Sequence, residues 1–351
     1  MQHNRPKVLF ICGSVNQTRQ MHDVARALPE CEAFYTAYYG DGFVELMRRL
    51  GFIDFTILGW PWRKKCIRYL RANALPMDHE GERLGNDYDL VVTSSDVLMP
   101  KNILHRRVVA VQEGITDPEG FWYWARKLLP FVVPRWAAGT AWTGTSNLYD
   151  RFCVASEGYR DHFVSRGADP TKLVVTGIPN FDNCARYRNN DFPHRDYVLV
   201  CTSDTRETLK FDNRKRFIRR AVAQAAGRPL FFKLHPNEDH ARSIREITRW
   251  APGARVFCTG SAEEMVANAS VVICQYSTLA FVALALGKEV HSYFGLEHLR
   301  RLLPVQGAKA AVNIAEVCRG LLAEQVSPKK GAVDPAQQRM DSAIGAAEAA
   351  L

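Results

Sequence analysis

Short apolar runs alternate with amphipathic stretches along almost the whole chain. A first set of runs comprises KVLFIC (7–12), DYDLVVTS (87–94), RVVAVQ (107–112), RFCVAS (151–156) and KLVVTG (172–177). A second set comprises YVLVCT (197–202), PLFFKL (229–234), ARVFC (254–258) and VVICQY (271–276). Nearly continuous apolar strands separated by helices are typical of parallel sheets that are buried on both faces. The pattern therefore predicts an α/β protein with two doubly wound, Rossmann-like domains.

A polar segment, PNFDNCARYRNNDFPHRD (179–196), separates the two sets of strands. It contains two prolines and has no periodicity, so we interpret it as the interdomain linker. This division predicts a first domain over 1–185, a second over 190–330 and an Ala-rich terminal helix over 331–351. Ligands of doubly wound sheets bind beyond the carboxyl ends of the strands, so we expect the two domains to face a cleft formed by those ends.

Composition bears on the cellular setting more than on the fold. With 47% hydrophobic and 24% charged residues, the chain has the balance of a globular protein that buries a sizeable core. Apolar runs such as LLPFVV (128–133) are far shorter than the ~20 residues of a membrane span, and the opening MQHNRPKVLFICG does not resemble a signal peptide. Nine cysteines lie without paired or metal-type spacing, which favours reduced thiols over disulfides. These features predict a cytoplasmic protein.

The net charge of +9 favours an anionic partner, such as a nucleotide phosphate, an anionic lipid or an acidic glycan. Nucleic acid is not expected, because the chain has no motif of a known nucleic-acid-binding fold.

The stretch FFKLHPNED (231–239) places two cations at the mouth of a predicted strand. Lys233 and His235 lie two residues apart, so both would point to one side if the strand continued to His235. Pro236 suits the first position of a following helix, because its missing N–H is no loss there. The free amides of that helix would favour an anion. A plain strand-to-helix turn is the alternative, but two cations beside a helix start favour phosphate binding.

A second strand-to-helix turn, in ASVVICQYSTLAFVALALGKEV (269–290), contains Tyr276, Ser277 and Thr278. A serine or threonine at a helix start caps the free amides, which is the structural interpretation. In the functional interpretation, the hydroxyls and the next amides hold a phosphate. The turn is a weak signal alone, and we take it as nucleotide-binding together with the histidine–proline stretch.

A third stretch, VVAVQEGITDPEG (108–120), carries carboxylates at a predicted strand end. Glu113 directly follows the strand and stands beside the permissive Gly114, so it could project into the cleft and take a proton from a hydroxyl. Asp117 and Glu119 lie further along the same loop. They are either rivals for that role or parts of a solvated acidic loop.

Two other turns are candidates with weaker signals. Gly13 and Ser14, after the first strand, could line the cleft together with Asp117, or form an ordinary strand-to-helix turn. Thr176 and Gly177 could contact the nucleotide, or only shape the turn into the linker.

Taken together, these stretches resemble the GT-B superfamily of glycosyltransferases and their relatives. The resemblance covers most of the chain, and it depends on the order and spacing of its pieces. Those pieces are KVLFICGS at the start, QEG at 112–114, ASEGYRDHFVSRGADPTKLVVTGIPNFD at 155–182, KLHP at 233–236 and QYSTLAFVALALGKEV at 275–290. It implies a first domain that presents an acceptor, with Gly13, Ser14 and Asp117 on the acceptor side, and a second domain that binds a nucleotide-activated donor.

Three subgroups of this superfamily resemble the chain, each in a different set of motifs. Bacterial sialyltransferases and the Kdo transferases of capsule assembly have an acidic-acidic-glycine motif, where this chain has Gln112 in place of the first acid. CDP-glycerol glycerophosphotransferases usually have a histidine-glycine where this chain has Glu113-Gly114. Non-hydrolysing UDP-N-acetylglucosamine 2-epimerases expect a glutamate in the helix after the serine motif, and residues 279–287 contain no acid.

The resemblance implies a metal-independent, inverting glycosyltransferase that uses a CMP-, CDP- or UDP-linked sugar to build a bacterial surface polysaccharide or glycolipid. Glu113 would deprotonate the acceptor, which is a glycan or a lipid-linked sugar, and the second domain would stabilise the leaving phosphate. No cofactor or metal is expected beyond the donor substrate. The alternatives are a CDP-glycerol-type glycerophosphotransferase, a nucleotide-sugar 2-epimerase, and a non-catalytic nucleotide-sugar-binding subunit.

Two basic aromatic stretches bear on the partners. WPWRKKCIRYLR (60–71) and GFWYWARKLLPFVVPRW (120–136) interleave tryptophan with arginine and lysine. Such a composition suits an anionic membrane surface, and would place the protein peripherally on the inner face of the membrane. The alternative is a pair of helices whose aromatic side chains pack into the core. A third basic stretch, RKRFIRR (214–220), is interpreted as a solvated helix face.

Overall fold

The computed structural model describes residues 5–54, 56–84, 87–207 and 211–324. The predicted terminal helix over 331–351 lies outside the described residues, as do residues 325–330 of the predicted second domain. No helix in the described part of the chain is both long enough and apolar enough to span a bilayer.

The strands form two sheets in which every described pairing is parallel. The first sheet has the order β2-β1-β3-β4-β5-β6 and consists of β1 (Lys7–Cys12), β2 (Glu32–Ala37), β3 (Leu90–Thr93), β4 (Val108–Val111), β5 (Arg151–Val154) and β6 (Leu173–Val175). The second has the order β11-β10-β7-β8-β9 and consists of β7 (Val198–Cys201), β8 (Leu230–Lys233), β9 (Arg255–Phe257), β10 (Val271–Cys274) and β11 (Glu289–His291).

Helices connect the strands, as parallel pairing requires. The α-helices are α1 (Val15–Arg26), α2 (Gly42–Arg49), α3 (Trp60–Ala72), α4 (Phe121–Leu128), α5 (Glu157–Ser165), α6 (Arg214–Ala225), α7 (His240–Trp250), α8 (Ala262–Asn268), α9 (Leu279–Ala285), α10 (Leu296–Leu302) and α11 (Ala310–Ala323). Short 3₁₀ segments occur at His79–Leu84, Lys101–Ile103, Arg135–Trp142 and Cys184–Arg188.

The predicted fold class is confirmed, and all nine predicted strands occur. Two strands were missed, β2 and β11, and each lies at the edge of its sheet. Edge position alone does not explain the two misses, because the edge strands β6 and β9 were predicted from their apolar runs. Both missed strands begin with an exposed glutamate, Glu32 in EAFYTA and Glu289 in EVH.

The chain divides into two units, and the described end of the chain returns to the first. The first unit contains the described residues up to Asp182 and those from Gly307 onward, and the second is Asn183–Gln306. Asp182 anchors the segment that begins at Gly307 to the first unit. Its carbonyl accepts hydrogen bonds from the amides of Gly307 and Ala308 over 2.7 and 3.0 Å. Helix α11, which the predicted second domain included, therefore packs in the first core, where Ile314, Cys318 and Leu321 are buried.

The segment predicted as a linker, 179–196, is mostly attached to the second unit. Asn268 on α8 donates to Asn190 Oδ1 over 2.7 Å, and Arg195 donates to Asn268 Oδ1 over 2.8 Å. Cys184 is buried. The polar residues of this segment form hydrogen bonds with α8 and with one another, which explains why it has no apolar periodicity.

Candidate functional site

In the first unit, Glu113 lies at the carboxyl edge of the sheet, where the ends of β1, β3 and β4 are neighbours. Its side chain is half-buried. Ser14 Oγ donates to Glu113 Oε1 over 3.1 Å, and Gln17 Nε2 donates to Oε2 over 2.7 Å. Burial raises the pKa of the Glu113 carboxyl, the charge of Asp117 raises it further, and the two hydrogen bonds oppose the rise. Such a carboxylate is suited to proton transfer.

A capping box at the start of α1 holds the two donors. Ser14 is the N-cap: its Oγ accepts from Gln17 N over 3.2 Å, and Gln17 Oε1 accepts from Ser14 N over 2.7 Å. Gly13 allows this arrangement, because a Cβ there would lie 1.7 Å from Gln17 Oε1. Gln17 is buried, and it was missed from the sequence, although the S-x-x-Q spacing of a capping box marks it.

Gln112, where sialyltransferase-like sequences have an acid, has a structural role here. Its Nε2 donates to the carbonyl of Gly114 over 2.8 Å, and its Oε1 accepts from the amide of Ala155 over 2.9 Å. An ionised carboxylate could not make the first of these bonds, because it has no donor. Gln112 thus fixes the loop that presents Glu113 and ties the end of β4 to the end of β5.

The two rival carboxylates are engaged elsewhere in the first unit. Asp117 Oδ2 accepts from the hydroxyl of Thr140 over 2.7 Å. Glu119 forms an ion pair of 3.1 Å with Arg166. Glu113 is thus the carboxylate that the capping box of α1 contacts.

Thr176 and Gly177 form the turn after β6. Thr176 is buried, and its hydroxyl donates to the carbonyl of Gly177 over 2.8 Å. Gly177 has a φ of 74°, which favours glycine. Asn313 on α11 donates to the carbonyl of Thr176 over 3.1 Å. These contacts agree with the turn-shaping interpretation, and the nucleotide contact stays a prediction.

In the second unit, Lys233 ends β8 and is buried. Its Nζ donates to the carbonyls of Leu234 and Cys258 over 3.2 and 3.3 Å. Burial lowers the pKa of its ammonium group. The phosphate role of Lys233 stays a prediction, and in the described contacts its charge is directed at two backbone carbonyls.

His235 and Pro236 form a turn rather than a helix start. The amide of Glu238 donates to the carbonyl of His235 over 3.1 Å, so Pro236 takes the second position of a β-turn, which its fixed φ suits. Helix α7 begins only at His240, and Asp239 caps it by accepting from the amide of Arg242 over 3.0 Å. The expectation that Pro236 opens the helix is therefore wrong. The capping carboxylate also makes the start of α7 a poor anion site.

The ring of His235 is oriented by its neighbours. Its Nδ1 accepts from the amide of Asn237 over 3.3 Å and lies 3.5 Å from Asp204 Oδ2. The amide donor at Nδ1 assigns the proton of the neutral ring to Nε2. No group in the described part of the chain bonds Nε2, and the side chain is 37% exposed. His235 can therefore donate a hydrogen bond from Nε2 to a bound anion.

A buried carboxylate, Glu238, supports this turn, and the sequence interpretation missed it. Its Oε2 accepts from the amide of His235 over 3.3 Å, and its Oε1 accepts from the hydroxyl of Ser243 over 2.8 Å. The guanidinium of Arg214 on α6 forms an ion pair of 2.8 Å with it, and Thr202 at the end of β7 donates to Oε2. Its position in KLHPNE, three residues after His235, is the only sequence signal.

The serine motif follows β10. The hydroxyl of Ser277 accepts from the amide of Leu279 over 3.3 Å, so it caps the first turn of α9. Thr278 makes no side-chain cap bond there. Tyr276 is 41% exposed, and its ring packs edge-on against Tyr293 with centroids 5.5 Å apart. The predicted phosphate contacts of Ser277 and Thr278 remain predictions.

The end of β7 connects the two predicted motifs, because β7 lies between β10 and β8. Ser203 Oγ donates to Gln275 Oε1 over 3.0 Å, and Thr202 Oγ1 accepts from the amide of His235 over 3.1 Å. Residues 202–204, TSD, were not singled out from the sequence. No group of three or more His, Cys, Asp or Glu side chains that could hold a metal occurs in the part of the chain that the structure describes.

Solved structures share this fold over nearly the full length of both chains. No protein-family model matches the chain, and no curated protein matches its sequence. A UDP complex of MnaA from S. aureus has a TM-score of 0.55 and 12% identity, and the match covers 99% of this chain and 98% of that one. The UDP-GlcNAc 2-epimerase from Neisseria meningitidis bound to UDP-GlcNAc has a TM-score of 0.52 and 11% identity, with coverages of 98% and 100%. The 2-epimerase from Rickettsia bellii has a TM-score of 0.51 and 12% identity, with coverages of 99% and 97%.

At such identities the likeness establishes the fold alone, which is the GT-B-like fold of two parallel-sheet domains. The expectation of a glycosyltransferase is wrong on these findings, because the solved neighbours are UDP-N-acetylglucosamine 2-epimerases, which are isomerases. The sialyltransferase, Kdo-transferase and glycerophosphotransferase subgroups find no support among them. The findings agree better with the alternative of a nucleotide-sugar 2-epimerase.

Proposed function

We propose that the protein is a nucleotide-sugar 2-epimerase that acts on a UDP-linked 2-acetamido sugar. The observation that carries this proposal is the environment of Glu113: a half-buried carboxylate with a raised pKa, held by Ser14 and Gln17 at a strand end. The fold, shared with epimerases whose structures contain UDP or UDP-GlcNAc, supports the choice of substrate class.

The chemistry of the reaction requires such a group. Carbon 1 of a nucleotide sugar is an acetal carbon, so the neighbouring C2 hydrogen is not acidified by a carbonyl. If a base takes the C2 proton while UDP leaves C1 with the electron pair of the C1–O bond, the C2–H pair forms a C1–C2 double bond. Protonation of C2 from the opposite face and return of UDP to C1 give the C2 epimer. We assign the removal of the C2 proton to Glu113, because a carboxylate whose pKa is raised toward neutrality is a stronger base. The proton that C2 gains on its opposite face comes from a second donor or from solvent.

The second unit supplies the candidate nucleotide site. Stabilising a leaving diphosphate requires donors that point away from the core, and His235 Nε2 and the hydroxyl of Thr278 are the two that we assign. Helix α9, Leu279–Ala285, contains no acid to hold the uridine ribose. The proposal therefore predicts that the ribose hydroxyls are bound by other side chains of the second unit.

Proton NMR in D₂O tests the proposal directly. UDP-GlcNAc incubated with the protein should give its C2 epimer, and both sugars should lose their H2 signal as solvent deuterium enters at C2. CDP- and GDP-linked sugars serve as substrate controls, and Glu113→Gln as the enzyme control. If UDP-GlcNAc binds but neither epimer nor deuterium exchange appears, the proposal is wrong.

A further inference from the structure

Helix α4 and the segment after it expose a dense group of large apolar side chains. Phe121, Trp122, Trp124, Leu128, Leu129, Phe131 and Val132 have exposed fractions between 46% and 76%. The surface of a monomeric protein rarely exposes so many large apolar side chains in one place unless a partner binds there. We call this group the α4 apolar surface.

The outward orientation of this surface is fixed by the buried face of α4. Tyr123 packs against Trp142 with ring centroids 4.9 Å apart, and the guanidinium of Arg166 lies 5.2 Å from its ring. The guanidinium of Arg126 is turned inward, and donates to the carbonyls of Pro130 and Val133 over 2.5 and 2.7 Å. Since the inner face is fully engaged, the apolar side chains on the other face are held toward solvent.

The other basic aromatic stretch lies at the same edge of the first sheet. Helices α1 and α3 run side by side in the same direction: Thr18 contacts Cys66 over 3.4 Å, and His22 contacts Tyr69 over 3.1 Å. Because α1 starts at the carboxyl end of β1, the first residues of α3 also lie at that edge. Helix α4 follows the carboxyl end of β4, so both stretches flank one edge of one sheet.

Lysines are stacked on the tryptophans of both stretches. The Nζ atoms of Lys64 and Lys65 lie 5.2 and 4.8 Å from the rings of Trp60 and Trp62, and Lys127 Nζ lies 4.9 Å from the ring of Trp124. Helix α2 adds more exposed apolar side chains in the first unit: Leu46, Leu50 and, just after the helix, Phe52. Its N-cap, Asp41, lines the same pocket as Trp136 beside α4.

We propose that this edge of the first unit binds the interface of an anionic phospholipid bilayer. Exposed tryptophan, phenylalanine and leucine can enter the headgroup region, while the stacked lysines meet lipid phosphates. A second copy of the chain is a poorer occupant, because two basic surfaces would repel each other in a chain with a net charge of +9. This inference does not depend on the epimerase proposal.

Vesicle co-sedimentation with the full chain tests the inference. The protein should sediment with vesicles of phosphatidylcholine and phosphatidylglycerol at low salt, much less with phosphatidylcholine alone, and less at high salt. The triple variant Phe121→Ser/Leu128→Ser/Phe131→Ser should reduce the partition coefficient by about tenfold or more, because three apolar side chains no longer enter the interface. The charge variant Lys64→Glu/Lys65→Glu should remove the preference for the anionic lipid.

Matched controls use exposed residues on other helices. Val222→Ser/Val312→Ser, which changes exposed apolar side chains on α6 and α11, should bind like the unchanged protein. Arg216→Glu/Arg220→Glu, on the exposed face of α6, should retain the lipid preference. Circular dichroism checks that each variant is folded. Absence of binding to every vesicle, or binding that survives the triple variant, would overturn the inference. So would a lipid-independent dimer in analytical ultracentrifugation that the triple variant dissociates.

Discussion

Gln17 Nε2 donates a hydrogen bond of 2.7 Å to Oε2 of Glu113, although 96 residues separate them in the chain. The bond favours the ionised carboxylate and so lowers the pKa of Glu113 against the effect of burial. Gln17→Met keeps the length of the side chain and removes the donor. The pKa of Glu113 should then rise further, and the acidic limb of the pH–rate profile of epimerisation should move to higher pH. Asn16→Ala, an exposed change on the same helix, is the control. An unchanged profile in Gln17→Met would contradict this coupling.

Glu113→Gln should abolish the proton transfer while preserving the shape of the site. We expect C2 deuterium exchange and turnover to fall by about 10²–10⁴-fold, as for the loss of a general base. The affinity for UDP, measured by calorimetry, should stay the same. Glu119→Gln is the matched control, because its carboxylate is engaged with Arg166. Collapse of turnover in Asp117→Asn with normal turnover in Glu113→Gln would move the role to Asp117.

The same substitution should change the pH dependence of stability. A carboxyl whose pKa is raised by folding contributes stability that is present below its unfolded-state pKa and is lost as the pH rises through its folded-state pKa. Ionised Glu113 therefore costs stability at neutral pH. Urea unfolding should show Glu113→Gln to be more stable than the unchanged protein at neutral pH, with a difference that shrinks in acid. A difference independent of pH would mean that the gain has another cause.

His235→Ala should weaken UDP binding. A hydrogen bond from Nε2 to a charged phosphate contributes about 1.5–3 kcal/mol, so Kd should rise by roughly 10- to 100-fold. Calorimetric titration with UDP measures this effect. His194→Ala is the control, because the ring of His194 packs on Phe231, with centroids 5.1 Å apart, and has no assigned role in the nucleotide site. If the unchanged protein, His235→Ala and His194→Ala bound UDP with equal affinity, His235 would have no role in nucleotide binding.

Glu238→Ala should destabilise the second unit strongly. The change leaves the buried guanidinium of Arg214 with one carboxylate fewer and frees the amide of His235. Breaking a buried ion pair from one side costs about 3–5 kcal/mol in the free energy of unfolding. Glu246→Ala removes a more exposed partner, paired with Arg206 over 2.9 Å, and should cost at most about 1 kcal/mol. If urea unfolding gave similar losses of stability for Glu238→Ala and Glu246→Ala, burial would not determine how much each ion pair contributes to the free energy of unfolding.

The predictable part of the fold is the part with a continuous apolar run. Strands such as KVLFIC (7–12) and VVICQY (271–276) are buried on both faces. They consist almost entirely of apolar residues, so their sequences identify them as buried strands. The edge strand β2, EAFYTA, lacks such a run, because it begins with the exposed Glu32 and contains the polar Thr36, although its last four residues are buried. Helix α11 shows a different limit. The sequence assigned its residues to the second domain, but the core that the helix joins depends on Asp182, which accepts from the amide of Ala310 and lies more than a hundred residues earlier in the chain.

The sequence by itself determined the two parallel sheets and the candidate residues at their carboxyl ends, because strand burial and strand-end turns leave local patterns. Only the tertiary structure decided which of those side chains have their polar atoms free. Lys233 and Ser277 bond backbone groups, whereas Nε2 of His235 has no partner in the described residues. The tertiary structure also brought Gln17 to Glu113 and Glu238 beneath His235. The contact between Gln17 and Glu113 depends on the order in which strands lie side by side, which is set by the packing of the whole sheet and is not encoded in the spacing of any one motif. The contact between Glu238 and His235 is local, but the ion pair that Glu238 forms with Arg214 depends on the same packing.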